Sequence, residues 1–228
     1  MKKVAGLAVT LGLLLSSVVA QAQEFGTQGR AVFGAERLFG LTWSHRSEQS
    51  LVPGVPDSYD NTSGMAFMWH VPNDPRNPFE VPRVAFDYFV IDHLSVGGTL
   101  AYMGGSISRP LGGNGPAAMN GATVSTDYSD FAFAPRVGFA YMFGSVVGIW
   151  PHAGFTYHSY SVDTVEKGNG FALDLDAMFV FAVTPHFGFT AGPNFDIDVS
   201  GSRTPEAAAE RDQHFRQFGI QVGMIGWL

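Results

Sequence analysis

Cysteine is absent from the 228 residues, so neither a disulfide framework nor a lipidated N-terminal cysteine is open to this chain. Lysine is nearly absent: past Lys2 and Lys3 only Lys167 remains. Without clustered basic residues, nucleic-acid binding is excluded. Charge of either sign is thin, 14% of the residues, against roughly 25% in soluble domains. Long apolar runs are missing beyond the N-terminus. The greasiest stretch, Val137 to Trp150, is broken by Gly138, Gly144, Ser145 and Gly148, and falls short of the about 18 residues that a membrane-spanning helix needs. What is abundant is phenylalanine (20) and glycine (28). An aromatic-rich chain with no helix to span a membrane must hide its apolar surface in another way.

The N-terminus shows where the chain goes. Met1-Lys2-Lys3 precedes an apolar stretch from Val4 to Val19, which ends in Ala20-Gln21-Ala22. A basic start, a short apolar core and a small-x-small site make a secretory signal peptide over residues 1–22. Residues 23–228 then form one domain. Loss of Lys2 and Lys3 leaves 11 basic residues against 20 acidic ones, a net charge of −9.

Within that domain the apolar residues alternate with period 2. Val84, Phe86, Tyr88 and Val90 are apolar, and Arg83, Ala85 and Asp87 between them are small or charged. Successive strand side chains point to opposite faces, so such a segment has one greasy face. The pattern recurs over 94–102, 131–141, 149–158, 171–179, 187–198 and 217–228, and with Phe39, Leu41 and Trp43 it makes eight strands. The opposite face is Gly, Ala and Ser with charges of both signs, which suits the cramped lumen of a narrow barrel. Connections alternate too. Asp92-His93, Gly144-Ser145 and Thr184-Pro185 mark tight turns, whereas 46–82, 104–129, 159–169 and 199–212 read as long loops. Short periplasmic turns, long extracellular loops and an even number of antiparallel strands are the signature of an outer-membrane β-barrel. The fold class expected is therefore all-β, an up-and-down antiparallel transmembrane barrel.

That orientation assigns the aromatic girdles: Tyr88 and Tyr141 near the periplasmic interface, Trp43, Tyr102 and Tyr157 near the outer one, where rings with polar tips are favoured. Pro82–Tyr88 repeats as Pro135–Tyr141 at the start of two downward strands. Three features resist the pattern. Arg37 shares the parity of the lipid-facing Phe33, Phe39 and Leu41; either a bulge shifts the register or, as the sequence alone favours, the membrane part begins after it. Pro135 and Pro193 fall within strands, and each implies a bulge or a strand end.

The terminal Gln221-Val222-Gly223-Met224-Ile225-Gly226-Trp227-Leu228 is similar to the assembly signal of outer-membrane barrels: Gln221, Gly223 and Leu228 match, Trp227 precedes the end, and Gly226 stands where a large apolar residue is usual. With the signal peptide and the eight strands, the chain resembles the small OmpA/OmpX-type barrel families along nearly its whole mature length. The resemblance implies a Gram-negative outer membrane and partners among its lipids, including lipopolysaccharide, and the barrel-assembly machinery. It carries activity poorly, because one fold hosts many functions.

The inward set is Arg83, Asp87, Arg136, His152, His158, Asp174, Asp176, Asp196 and Asp198. Buried charges persist by pairing, so these read as a mutually neutralising lumen network in preference to a conduction path or a metal site. Neither a cofactor nor a metal is expected. His45-Arg46-Ser47 and His158-Ser159 have the spacing of the His-Ser pairs with which some related barrels deacylate lipid A, a weak motif with no assignable oxyanion donor. The first loop holds Pro53, Pro56, Pro72, Pro75, Pro78 and Pro82 with Phe67, Met68, Trp69 and Phe79. These rings either meet an extracellular ligand or fold over the barrel mouth. Arg46, Arg109, Arg203 and Arg211 fall near the outer rim, in reach of lipopolysaccharide phosphates. The reading is a non-enzymatic barrel with a structural or surface-contact role through its loops. A conduit for small apolar molecules is the alternative, which would need a lumen open to the side or below, and a lipid A-modifying enzyme comes third.

Overall fold

The computed structural model describes residues 25–54, 56–67, 77–110, 123–205 and 210–228; the signal-peptide segment lies outside them. The strands are β1 (Ala31–Ser50), β2 (Ser58–Phe67), β3 (Arg83–Ile91), β4 (Leu94–Pro110), β5 (Thr123–Phe139), β6 (Tyr141–Met142), β7 (Val147–Val162), β8 (Glu166–Thr184), β9 (Phe187–Pro205) and β10 (Arg211–Trp227). All pairings are antiparallel, and β10 returns to pair with β1 from Val32↔Trp227 to Ser50↔Arg211, closing the sheet on itself. The ten strands make eight staves, because two staves are each built of two pieces. β2 pairs with the outer half of β1 and β3 with its inner half, while β6 continues β5 beyond Ala140 along β7.

Burial follows the alternation. Along β3 it runs buried, exposed, buried from Arg83 to Val90, and β8 and β10 repeat the rhythm. Lipid is the only solvent that accepts an outward face made of Phe33, Val84, Phe86, Phe133, Val137, Phe139, Phe155 and Phe179. Small inner residues let backbone and carboxylates approach: a Cβ on Gly97 would collide with the Phe86 carbonyl oxygen and with Asp87.

Three expectations change. Arg37 does not lie outside the membrane part. Between the pairs Ala35↔Met224 and Phe39↔Val222, three residues of β1 face one of β10, and Arg37 sits at φ 56° in this bulge. Two extra residues preserve the parity of the flanking strand, so the alternation gives no warning while Arg37 swings into the lumen, 6% exposed. At Pro135 and Pro193 there is neither a bulge nor a strand end. The pairing of β5 with β7 lapses at Ala134 and Pro135 and resumes in the same register at Arg136↔Gly154. Pro193 pairs with Ile220, and β8–β9 keeps one register from Asp176↔Asn194 to Phe179↔Ala191. Both rings point outward, where a missing N–H costs a ladder bond without disturbing the lumen.

The long-loop expectation also shrinks. The strands other than β2, β3 and β6 run 16–20 residues, whereas about 9–11 suffice to cross. β7 and β8 meet in a turn at Asp163-Thr164-Val165 where a loop over 159–169 was expected, and β2 lies inside the expected first loop. Above the membrane the outward face is no longer apolar, and the sequence signal fades although the ladder continues. The surplus lifts the rim about 15–20 Å beyond the membrane. The tight turns at Asp92-His93, 143–146 and 185–186 stand as expected.

Candidate functional site: a sealed lumen

The lumen is filled in storeys. At its periplasmic end Phe25 lies edge-on to Phe89 (5.5 Å), Trp150 (5.3 Å) and Trp227 (5.2 Å). Val32, Val180, Ala182 and Ile225 complete this apolar floor. Trp150 Nε1 donates to Ser95 Oγ at 3.1 Å, so the indole is buried without a lost hydrogen bond.

Above the floor Arg136 spans two carboxylates. Its Nη2 is 2.6 Å from Asp87 Oδ2 and 2.7 Å from Glu36 Oε1, and its Nη1 is 2.9 Å from Glu36 Oε2. The guanidinium sits 5.7 Å over the Trp150 ring. Asp176 is 3.9 Å from Arg136 Nη1 and accepts from Gln221 Nε2 at 3.2 Å.

One storey higher two arginines share two aspartates. Arg37 makes a fork with Asp196, both contacts 2.9 Å. Arg83 Nη1 reaches Asp174 Oδ2 at 2.8 Å, and the cross contacts are 3.6 and 3.8 Å. Forked arginine–carboxylate pairs are the strong and geometrically selective kind. Each storey joins strands far apart in sequence, so the pairs brace the barrel across its diameter.

The segment leading into β3 closes the lumen further. Asn77 caps a single 3₁₀ turn, Pro78–Glu80, and its Nδ2 donates to Gln217 at 3.0 Å. The Phe79 carbonyl accepts from Arg37 Nη1 at 2.5 Å. The Phe79 ring, fully buried, meets His158 at 5.2 Å and Phe215 at 6.2 Å. Of the two readings of the first-loop aromatics, Phe79 follows the inward one; Met68 and Trp69 lie outside the described residues. His158 Nε2 is 3.0 Å from Asp198 Oδ1, whose other oxygen accepts from the Phe215 amide at 2.9 Å. A cavity of about 10 Å³ remains beside Arg37, Phe79 and Gln221, the size of a single water. At the rim, Glu48 and Glu166 both pair with Arg203, and Arg211 lies 3.9 Å from Glu48.

All nine inward residues proposed from the sequence are buried. Six of them stand in arginine–carboxylate ion pairs, and His158 and Asp198 hydrogen-bond each other. His152 does neither: its ring lies 4.3 Å from Trp150 and its nitrogens have no hydrogen-bond partner among the described residues. The sequence missed Glu36 and Arg37, both in the bulge, and the rim acids Glu48 and Glu166, which lie where alternation had faded. Trp43, Tyr88, Tyr102, Tyr141 and Tyr157 face outward. Of the terminal set, Gln221 and Trp227 point inward and Leu228 is exposed. His45 bonds Asn61, and His158 bonds Asp198, so neither histidine is committed to its neighbouring serine. Arg46, Arg203 and Arg211 are engaged by carboxylates; the Arg109 side chain lies outside the described residues.

No family model matches the sequence, and no curated protein matches it. Solved structures share its architecture, and two serve for comparison. The outer membrane protein OprG from Pseudomonas aeruginosa aligns over 89% of this chain and 97% of its own, at 10% identity and a TM-score of 0.52. The outer membrane protein AlkL, determined in lipid bilayers, aligns over 89% and 91%, at 11% identity and a TM-score of 0.51. At such identities the likeness is one of fold, and the fold is that of the eight-stranded outer-membrane β-barrels.

Proposed function

We propose that this chain is a non-enzymatic outer-membrane barrel that acts at the outer face of the membrane, as an envelope element and a rigid platform for surface contact. The sealed lumen carries this reading: an aromatic floor and two storeys of forked ion pairs lie between the rim and the periplasmic end. The ladder extending past the girdle, tied at the rim through Glu48, Glu166 and Arg203, supports it by holding the loop ends stiffly clear of the lipid. Planar-bilayer recording of the purified barrel tests it. No single-channel steps and an unchanged lipid A mass profile in expressing cells are expected. Regular conductance steps, or a lipid A species that appears only with the intact protein, contradict it.

A second reading, a sideways conduit for small apolar molecules, has one observation in its favour. Among the described residues β2 pairs with β1 alone, and β4 beyond Leu100 pairs with β5 alone, so the wall has a seam at the level of the exposed Tyr102. Uptake of a hydrocarbon dye into protein-bearing vesicles, abolished by a disulfide engineered across that seam, would favour the conduit over the platform.

A further inference from the structure

The outward face of four adjacent staves carries an arrangement that the lumen does not explain. The register places Ser63, Trp43, Phe218 and Phe195 in one row across β2, β1, β10 and β9. The row beneath is Met65, Leu41, Ile220 and Pro193, and the row above is Asn61, His45, Arg216 and Ile197. Trp43 stacks on Phe218 at 5.6 Å with 18° between the planes, and Phe218 meets Phe195 at 4.8 Å. The Trp43 row and the Arg216 row line an open groove of about 550 Å³, and the apolar row of Leu41 and Ile220 continues the outward face beneath it. Within one step along the strands the wall passes from the aromatic row of Trp43, Phe218 and Phe195 to the row that carries Arg216.

Arg216 is the odd member. Arg37, Arg83, Arg136 and Arg203 each hold a carboxylate, but the exposed Arg216 side chain has neither an ion pair nor a hydrogen bond among the described residues. Beside it His45 Nδ1 donates to Asn61 Oδ1 at 2.6 Å, which leaves the Asn61 amide nitrogen to donate outward. His214 stands one row higher, opposite Ser47. An unpaired guanidinium at the upper edge of a lipid-facing aromatic strip, in a chain of net charge −7, calls for an anion that comes with apolar chains. Whatever fills a groove on the lipid side of the wall lies in the membrane.

We propose that this groove docks one phosphorylated glycolipid of the outer leaflet. Its acyl chains lie against Leu41, Trp43, Phe195, Phe218 and Ile220, and its phosphate is held by Arg216 with Asn61 beside it. Arginine suits the task because its planar fork matches phosphate oxygens two at a time. The inference rests on the lipid-facing wall, so it stands or falls apart from whether the lumen conducts.

The test is native mass spectrometry of the whole barrel in detergent, titrated with bisphosphorylated lipid A and with the same lipid stripped of phosphate. Wild type is expected to retain one bisphosphorylated molecule, with Arg216→Gln about tenfold weaker. Removing the phosphates should weaken wild type by a similar factor and leave Arg216→Gln unchanged. Trp43→Ala should weaken both lipids. Arg216→Lys, which keeps the charge without the fork, should fall between wild type and Arg216→Gln, and supplies the comparison if the glutamine variant fails to assemble. Equal affinity of wild type and the Arg216 variants overturns the proposal, as does undiminished binding of the phosphate-free lipid. Saturating inorganic phosphate should weaken retention no more than removal of the lipid phosphates does; complete displacement by it would also overturn the proposal, since the chains would then contribute nothing.

Discussion

Arg37 and Asp196, 159 residues apart in sequence, meet across the lumen in a two-point ion pair with both contacts at 2.9 Å. The pair exists because β1 bulges. Three residues occupy the place of one, and a side chain whose position in the sequence aims it at lipid is turned inward. A lone arginine in the hydrocarbon would cost about 2–4 kcal/mol. In the bulge it instead neutralises the carboxylates of β8 and β9, and it also holds the Phe79 carbonyl that anchors the plug turn.

The bulge predicts an asymmetry between deletions. Removing Arg37 alone reverses the parity of everything after it, turning Phe39, Leu41 and Trp43 into the lumen, and should abolish assembly. Removing Arg37 and Leu38 together restores an ordinary ladder and should assemble. Membrane fractionation of the two deletions checks this; equal behaviour would show that the bulge does not set the register.

Arg136→Leu strands Asp87 and Glu36 without their cation. Breaking one side of a buried pair typically costs about 3–5 kcal/mol, read as a lower urea midpoint in lipid vesicles. Adding Asp87→Asn and Glu36→Gln removes the stranded charges and should recover part of that loss. An unchanged midpoint for Arg136→Leu would mean that the pairs contribute nothing.

Phe25→Ala empties the centre of the periplasmic floor, leaving Phe89, Trp150 and Trp227 without their common neighbour. A buried Phe→Ala change costs about 3–5 kcal/mol. Trp150 and Trp227 should become accessible to a water-soluble quencher from the periplasmic side. Unaltered quenching would show that the floor is closed by something else.

The legibility of this molecule follows the membrane. Where strands cross lipid, solvent on one face and crowding on the other force the period-2 pattern, and β3, β8, β9 and the lower part of β10 could be read almost residue by residue. The inward carboxylates and arginines were legible for the same reason. Past the girdle the outward face meets water and is no longer apolar, the pattern dissolves, and β2, the upper half of β4 and the start of β8 looked like loops. The bulge at Glu36–Leu38 escaped because its two extra residues preserve parity. Arg216 sits on the correct outward parity but outside the apolar alternation, and only the register that sets it beside His45 and above Trp43 gives it meaning.

The central claim is that even positions of β10 face lipid and odd ones the lumen, and neighbouring substitutions test it most directly. Val222 is opposite Phe39 on the outward face, while Gln221 is buried and donates to Asp176 at 3.2 Å. An arginine at the bilayer midplane costs roughly 2–4 kcal/mol, whereas an arginine replacing Gln221 arrives beside a carboxylate. Heat-modifiable gel migration and membrane fractionation should therefore find Val222→Arg poorly assembled and Gln221→Arg much less affected. If Val222→Arg assembles as well as wild type, that strand does not face lipid in this register, and the barrel as described is wrong.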